Sequence, residues 1–335
     1  MDDLSLYQVL YQLVSGGGRE EALFGDCGPL AEEAFSRSLV GNEFPVVWFE
    51  LPLAGPPRFD LHVAISREAL RPGVGFAAGA GNDYDELFRW YAEVETGGHG
   101  LAFAYDVSEG QIDNPAVHVN VNHAPLDDMN RFFQLAAGTE AGAAERYRNF
   151  IGRLPEGWRV WYAGVHPGRP GAPVRVDCFV SSDLQKAYTQ DLALLERDLA
   201  ACGFVGVEQA VRDLASPILS SPFTLELQFD LMRDGTLGPT LGLSAGLGPA
   251  ARHLTGADAH QEGPMAAFMA PVEARGLADG RWRRGLEATL RKLVSFDEGS
   301  LALYCIPTFV KLRLREGAPL DAKLYLEASV IRLPS

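Results

Sequence analysis

The chain has 335 residues, 47% hydrophobic and 22% charged, enough apolar material for a large core. Its net charge of -15 excludes the basic excess of a typical nucleic-acid binder, and no apolar run reaches the length of a membrane span. Cys27, Cys178, Cys202 and Cys305 are scattered without CxxC spacing, which excludes a zinc signature and a disulfide framework and predicts reduced thiols in a cytoplasmic protein.

Residues 2–14 read as an amphipathic helix with Leu4, Tyr7, Leu10, Tyr11 and Val14 on one side, and a second short helix covers 29–39. A hairpin follows. Val47, Phe49 and Leu51 share one face against Trp48 and Glu50; after the AGPP turn, Phe59, Leu61, Val63 and Ile65 alternate with Arg58, Asp60, His62 and Ser66. A helix over 83–95 opens on an Asp83/Glu86 cap. The second hairpin, 100–108 with 116–123, sets Val117, Val119 and Val121 against His118, Asn120 and Asn122, and helical sequence runs over 127–154. In the third, 159–168 with 173–181, Val174, Val176 and Cys178 oppose Arg175, Asp177 and Phe179. One helix then spans 183–203, from an Asp183 N-cap to Gly203. The fourth hairpin opposes Leu225, Leu227, Phe229 and Leu231 to Thr224, Glu226, Gln228 and Asp230. Residues 264–294 read as helical with a break. In the last hairpin Val310, Leu312 and Leu314 alternate with Lys311, Arg313 and Arg315, and Leu324 and Leu326 with Lys323, Tyr325 and Glu327.

The pattern therefore predicts about five antiparallel hairpins, about ten strands, separated by helices. The helices cover the aliphatic faces, and the polar faces are left without a partner layer. A twisted sheet of this size curls; closing it puts helices outside and the polar face around a wet lumen, within one domain over 1–335 with the 1–40 helices packed on the barrel. An open α+β sheet with its polar face in solvent is the alternative.

The sequence resembles the ABBA, or PT-barrel, aromatic and peptide prenyltransferases, whose α+β fold closes a ten-stranded antiparallel barrel from repeated α-β-β-α units. TFVKLRLREGAPLDAKLYLEA is similar to the final hairpin of the indole-type members, and FELPLAGPPRFDLHV to their first. There a strand glutamate is followed by an arginine that holds diphosphate, which corresponds to Glu50 and Arg58 here. AGVHPGRPGAPVRVDCFV resembles the third hairpin of the peptide-modifying members, with Arg175 at a basic lumen position. The resemblance implies an enzyme that transfers a prenyl group from an allylic diphosphate to an aromatic or peptide acceptor, in RiPP-type natural-product biosynthesis.

On an inward polar face, Arg58, Arg175, Lys311, Arg313, Lys323 and Tyr325 would hold the diphosphate, since cations and phenol donors stabilise its leaving oxygens. Trp48, Trp161 or Tyr105 would shelter an allylic cation, and Glu50 would take the acceptor's proton. His62 and His118 share that face with Asp60 and read as polar lining for substrate, or as an acid–base or metal site. Glu226, Gln228 and Asp230 depart from the basic fourth hairpin of the indole-type members. Mg²⁺ bridging Glu226 or Asp230 to phosphate is one resolution. The other is a non-catalytic barrel that binds a peptide or small polar ligand as an accessory protein. His253, Asp258 and His260 read as a surface loop.

Overall fold

The computed structural model describes residues 3–38, 46–65, 85–94, 100–108, 111–112, 115–121, 126–136, 142–166, 171–205, 208–248, 263–296, 299–315 and 318–333. The Asp83 cap and the His253, Asp258 and His260 loop lie outside these residues. The chain opens with helices α1 (Asp3–Ser15), α2 (Glu20–Leu23) and α3 (Leu30–Ser38). The first hairpin is β1 (Val46–Pro52) with β2 (Phe59–Ile65), followed by α4 (Asp85–Glu93). Then come β3 (Leu101–Ser108), the two-residue β4 (Gln111–Ile112), β5 (Ala116–Asn120), α5 (Leu126–Ala136) and α6 (Ala143–Ile151). The third hairpin is β6 (Trp158–Val165) with β7 (Val174–Val180), and α7 (Ser182–Gln190), α8 (Leu192–Cys202) and α9 (Glu208–Leu219) follow it. After β8 (Thr224–Leu231) and β9 (Leu237–Gly246) come α10 (Pro264–Ala274), α11 (Arg281–Glu287), β10 (Leu290–Phe296), β11 (Gly299–Arg315) and β12 (Ala318–Leu333).

The strands form one sheet in the order β10-β11-β12-β1-β2-β3-β5-β6-β7-β8-β9, and β9 pairs again with β11. That second pairing closes a ring of ten strands, each antiparallel to both neighbours. β4 and β10 are additions outside the ring, beside β3 and the first half of β11. The barrel thus resolves the choice between an open and a closed sheet.

The aliphatic faces lie beneath the helices. Phe24, next to α2, sits edge-on to Phe49 of β1 and Phe59 of β2 at 5.5 and 5.1 Å, and Tyr7 of α1 stacks on Phe35 of α3. Each fully buried Phe contributes about 1.5–3 kcal/mol to this layer. Cys27, Cys178, Cys202 and Cys305 are buried free thiols. Among the described residues, no helix is long and apolar enough to cross a membrane.

Three local readings change. The single helix expected over 183–203 is two, because the chain is extended at Asp191 and its carboxylate caps α8 by accepting from the Ala193 N–H. The N-cap of α7 is Ser181, accepting from Leu184, and not Asp183. Residues 290–294, expected as helix, are strand: β10 finds a full antiparallel ladder on β11, and tertiary pairing outweighs the weak helix pattern. Gly203 does end its helix, in the left-handed conformation (φ 99°) that an L side chain resists.

Gly285 sets the approach of α11 to β12, since a Cβ there would run into the buried Leu324 side chain. Gly285→Val is expected to destabilise the fold by about 1–3 kcal/mol through overpacking, read as a lower urea midpoint with unchanged slope.

Candidate functional site

The register brings the polar faces together inside the barrel. Glu50 lies opposite Asp60 on one side and Tyr325 on the other, and Trp48 opposite His62 and Glu327. Lys311 lies opposite both Lys323 and Ser244, and Asp177 opposite Gln228. Eight of the residues singled out from the sequence, Glu50, His62, His118, Arg175, Lys311, Arg313, Lys323 and Tyr325, therefore line one lumen, with Trp48 at the same level as His62. Arg58 is exposed, one residue before β2 and outside this buried group. Tyr105 is not a lumen residue. It pairs with Leu61 and lies in the core beneath the helices, because its period-two phase is that of the aliphatic face.

At the centre, the Lys323 ammonium donates to one Glu50 oxygen and, at 3.0 Å, to Asp60. His62 Nε2 lies 3.2 Å from the other Glu50 oxygen. Burial alone would raise the Glu50 pKa, but Lys323, the His62 hydrogen bond and Lys311 hold it well below the usual carboxylate range. Asp60 moves the other way: burial and the neighbouring Glu50 and Asp106 outweigh an ammonium already committed to Glu50. Lys323 itself is raised, since Glu50 and Asp60 overcome its desolvation.

Lys311 donates to the Tyr325 hydroxyl at 3.1 Å and lies 5.1 Å from the ring centroid. Burial lowers its pKa despite Asp177 and Glu50. His62 and His118 stack loosely at 5.6 Å. His118 is held neutral, by burial first and by surrounding cationic groups second, and it lies so close over Gly164 that a Cβ there would be 2.7 Å from its Nδ1. Towards the hairpin turns, Arg175 donates to Asp230 at 2.9 Å and Arg313 donates through Nε to Asp321 at 2.7 Å. Gln228 donates to Asp177 at 2.7 Å. The carboxyl groups of Asp177, Glu226 and Glu327 are all pushed up, in each case chiefly by burial.

Towards the other end lies an aromatic arc. Trp161 contacts Tyr162 at 4.6 Å, Phe179 at 4.4 Å and Phe309 at 6.2 Å, and Phe309 meets Tyr325 at 6.1 Å. A register shift between Val160 and Tyr162 lets both Trp161 and Tyr162 join it. Sequence alternation alone gives no sign of that bulge. It does carry the signal for Asp321, which shares the phase of Lys323 and Tyr325 but was not among the candidate residues. Asp230 is engaged by Arg175, and burial pushes the Glu226 carboxyl up. Among the described residues, no group of three His, Cys, Asp or Glu is arranged to hold a metal ion.

The Lys323–Glu50 pair is almost fully buried, with side-chain exposures of 8% and 11%. Removing the ammonium leaves a buried charge unpaired, so Lys323→Met is expected to cost about 3–5 kcal/mol at pH 7–8. Glu50, depressed in the folded wild type, contributes stability above its unfolded value that is lost as pH falls through its folded pKa. In the variant its pKa rises and protonation relieves the penalty. The stability gap between wild type and variant in urea unfolding should therefore shrink as pH is lowered towards about 4.

No family profile matches the sequence, and no curated protein matches it. Solved structures do. A 6-dimethylallyltryptophan synthase from Micromonospora olivasterospora, in complex with DMASPP and Trp, aligns with a TM-score of 0.53 and 15% identity over 97% of this chain and 96% of that one. The prenyltransferase PriB, in a ternary complex with L-tryptophan and dimethylallyl thiolodiphosphate, aligns with a TM-score of 0.51 and 14% identity over 98% and 95%. With its closed ring of ten antiparallel strands and its outer helices, the chain has the ABBA, or PT-barrel, fold of the prenyltransferases, carried by a divergent sequence.

Proposed function

We propose that the barrel transfers a prenyl group from an allylic diphosphate to an aromatic or peptide acceptor, with Glu50 as the proton acceptor. The observation that carries this reading is Glu50 itself. It is an ionised carboxylate in the lumen, fixed by Lys323 and His62, with Lys311 and the Tyr325 phenol alongside. Two solved barrels of the same fold are complexes with DMASPP and Trp and with L-tryptophan and dimethylallyl thiolodiphosphate. In the reaction the allylic C–O bond breaks, diphosphate leaves, the allylic carbon bonds to the acceptor, and the acceptor's proton passes to a Glu50 oxygen. Lys311 and Tyr325 are the inner donors to the leaving diphosphate, and Arg175 and Arg313 the outer ones. The outer arginines are paired with Asp230 and Asp321, but both pairs are partly open to water, with side-chain exposures of 14–28%. A diphosphate carries more charge than the single carboxylate it replaces, which favours the exchange.

One observation favours a second reading. Arg175, Arg313 and Lys323 each already hold a carboxylate, and Glu226 and Asp177 add acid to the same lumen. A barrel of this kind suits a peptide or small polar ligand without diphosphate chemistry, as an accessory protein would.

Titration calorimetry with dimethylallyl thiolodiphosphate, with and without Mg²⁺, separates the two. The transferase reading expects binding that falls at least about tenfold in Lys311→Ala/Arg313→Ala, whereas Glu50→Gln binds and loses about 100-fold in turnover. No heat at millimolar analogue on a folded protein selects the second reading. Because Glu50 is held below the ordinary glutamate value of about 4.3, the acidic limb of the rate profile should fall below that pH.

A further inference from the structure

The contact between Glu50 and His62 fixes the imidazole as well as the carboxylate. Glu50 is ionised and can only accept a hydrogen bond, so His62 Nε2, 3.2 Å from its oxygen, carries the ring hydrogen. In the neutral imidazole the lone pair then lies on Nδ1. Among the described residues Nδ1 has no hydrogen-bond partner, and it is not sealed from solvent. The His62 side chain is 20% exposed, against 11% for Glu50 and 8% for Lys323. The lumen therefore holds an acceptor whose tautomer is set by a neighbour and whose lone pair awaits a donor.

The neighbouring strands leave room for that donor. His62 lies opposite Ala104 of β3, and His118 of β5 opposite Ala102, so imidazoles from strands about 9.6 Å apart approach to 5.6 Å over small side chains. His118 sets its own Nδ1 against Gly164. On the other flank His62 meets Tyr325 at 6.0 Å, and Tyr325 ends the aromatic arc that runs through Phe309 to Trp161. Lys311 and Lys323 offer hydrogens only, and Asp60 is engaged by Lys323. We propose that His62 is the residue that selects the prenyl acceptor: Nδ1 receives a hydrogen bond from an N–H or O–H on the edge of an aromatic ring laid along that arc. Rings whose heteroatom is alkylated, or that have none, are then rejected. A site built around a ligand's donor discriminates strongly against the analogue without it, because its own polar atom is left unpaired. The transferase reading, on which this rests, sends the leaving proton to Glu50; His62 holds the ring that loses it.

The test uses the full chain with dimethylallyl thiolodiphosphate bound, and indole and 1-methylindole as probes. Ring-nitrogen NMR at about pH 8 is expected to show His62 with hydrogen on Nε2 and none on Nδ1. Indole should shift the Nδ1 resonance, and 1-methylindole should leave it in place. In titration calorimetry wild type should prefer indole by at least about tenfold. His62→Phe keeps a ring but no acceptor, and it should lose that preference while still binding 1-methylindole. Equal loss of both probes in the variant marks a structural role and overturns the proposal. So does hydrogen on His62 Nδ1, equal binding of the two probes to wild type, or binding of neither. If His62→Phe does not fold, the wild-type resonances and affinities decide. These outcomes leave the transferase reading standing, whereas failure of the thiolodiphosphate to bind overturns that reading and the role of His62 with it.

Discussion

The structure depends on one constraint: every strand of the ring has one face that must be dry and one that has no second layer to meet. The helices satisfy the first requirement with Phe24, Phe35 and their neighbours over Phe49 and Phe59. The second is satisfied only by closure. Once β9 reaches β11, the polar faces solvate one another, and a ladder that would end in open N–H and C=O groups becomes continuous. Charged side chains that would be indifferent on a solvated sheet then come to face one another at low dielectric.

That enclosure explains why similar residues behave so differently. Glu50 and Asp60 lie side by side and share Lys323, yet one is driven towards ionisation and the other towards protonation. A single ammonium cannot compensate two buried carboxylates, so the charge settles on the oxygen pair that also has His62. Glu226 and Asp177, with burial as their main influence, are both pushed up.

Most of the ring was legible from alternation. The phase of Lys311, Arg313, Lys323 and Tyr325, of Glu50 and His62, and of Arg175 predicts one shared face, and the barrel brings those residues together. Legibility ended where phase did not decide. The aromatic character of Tyr105 suggests the lumen, but its phase, shared with Leu61 opposite it, puts it in the outer core. Trp161 and Tyr162 stand together only because of a bulge, which alternation cannot anticipate. Which carboxylate each arginine takes was also hidden: Arg175 chooses Asp230 over its near neighbour Asp177, and that follows from cross-strand geometry. Residues 290–294 read as helix because the ladder that makes them strand lies on a segment further along the chain.

All five hairpin turns fall at one rim of the ring, and every helical link falls at the other. The two rims therefore tolerate inserted residues unequally. Lengthening a turn costs only about 0.6 kcal/mol of closure entropy per doubling and leaves every strand register untouched. The same change in a helical link would move the cover off an aliphatic face. Arg175, Asp230, Arg313 and Asp321 sit towards the tolerant rim, so the outer polar group is the part of this barrel freest to be rebuilt around a new ligand while the ring stays as it is.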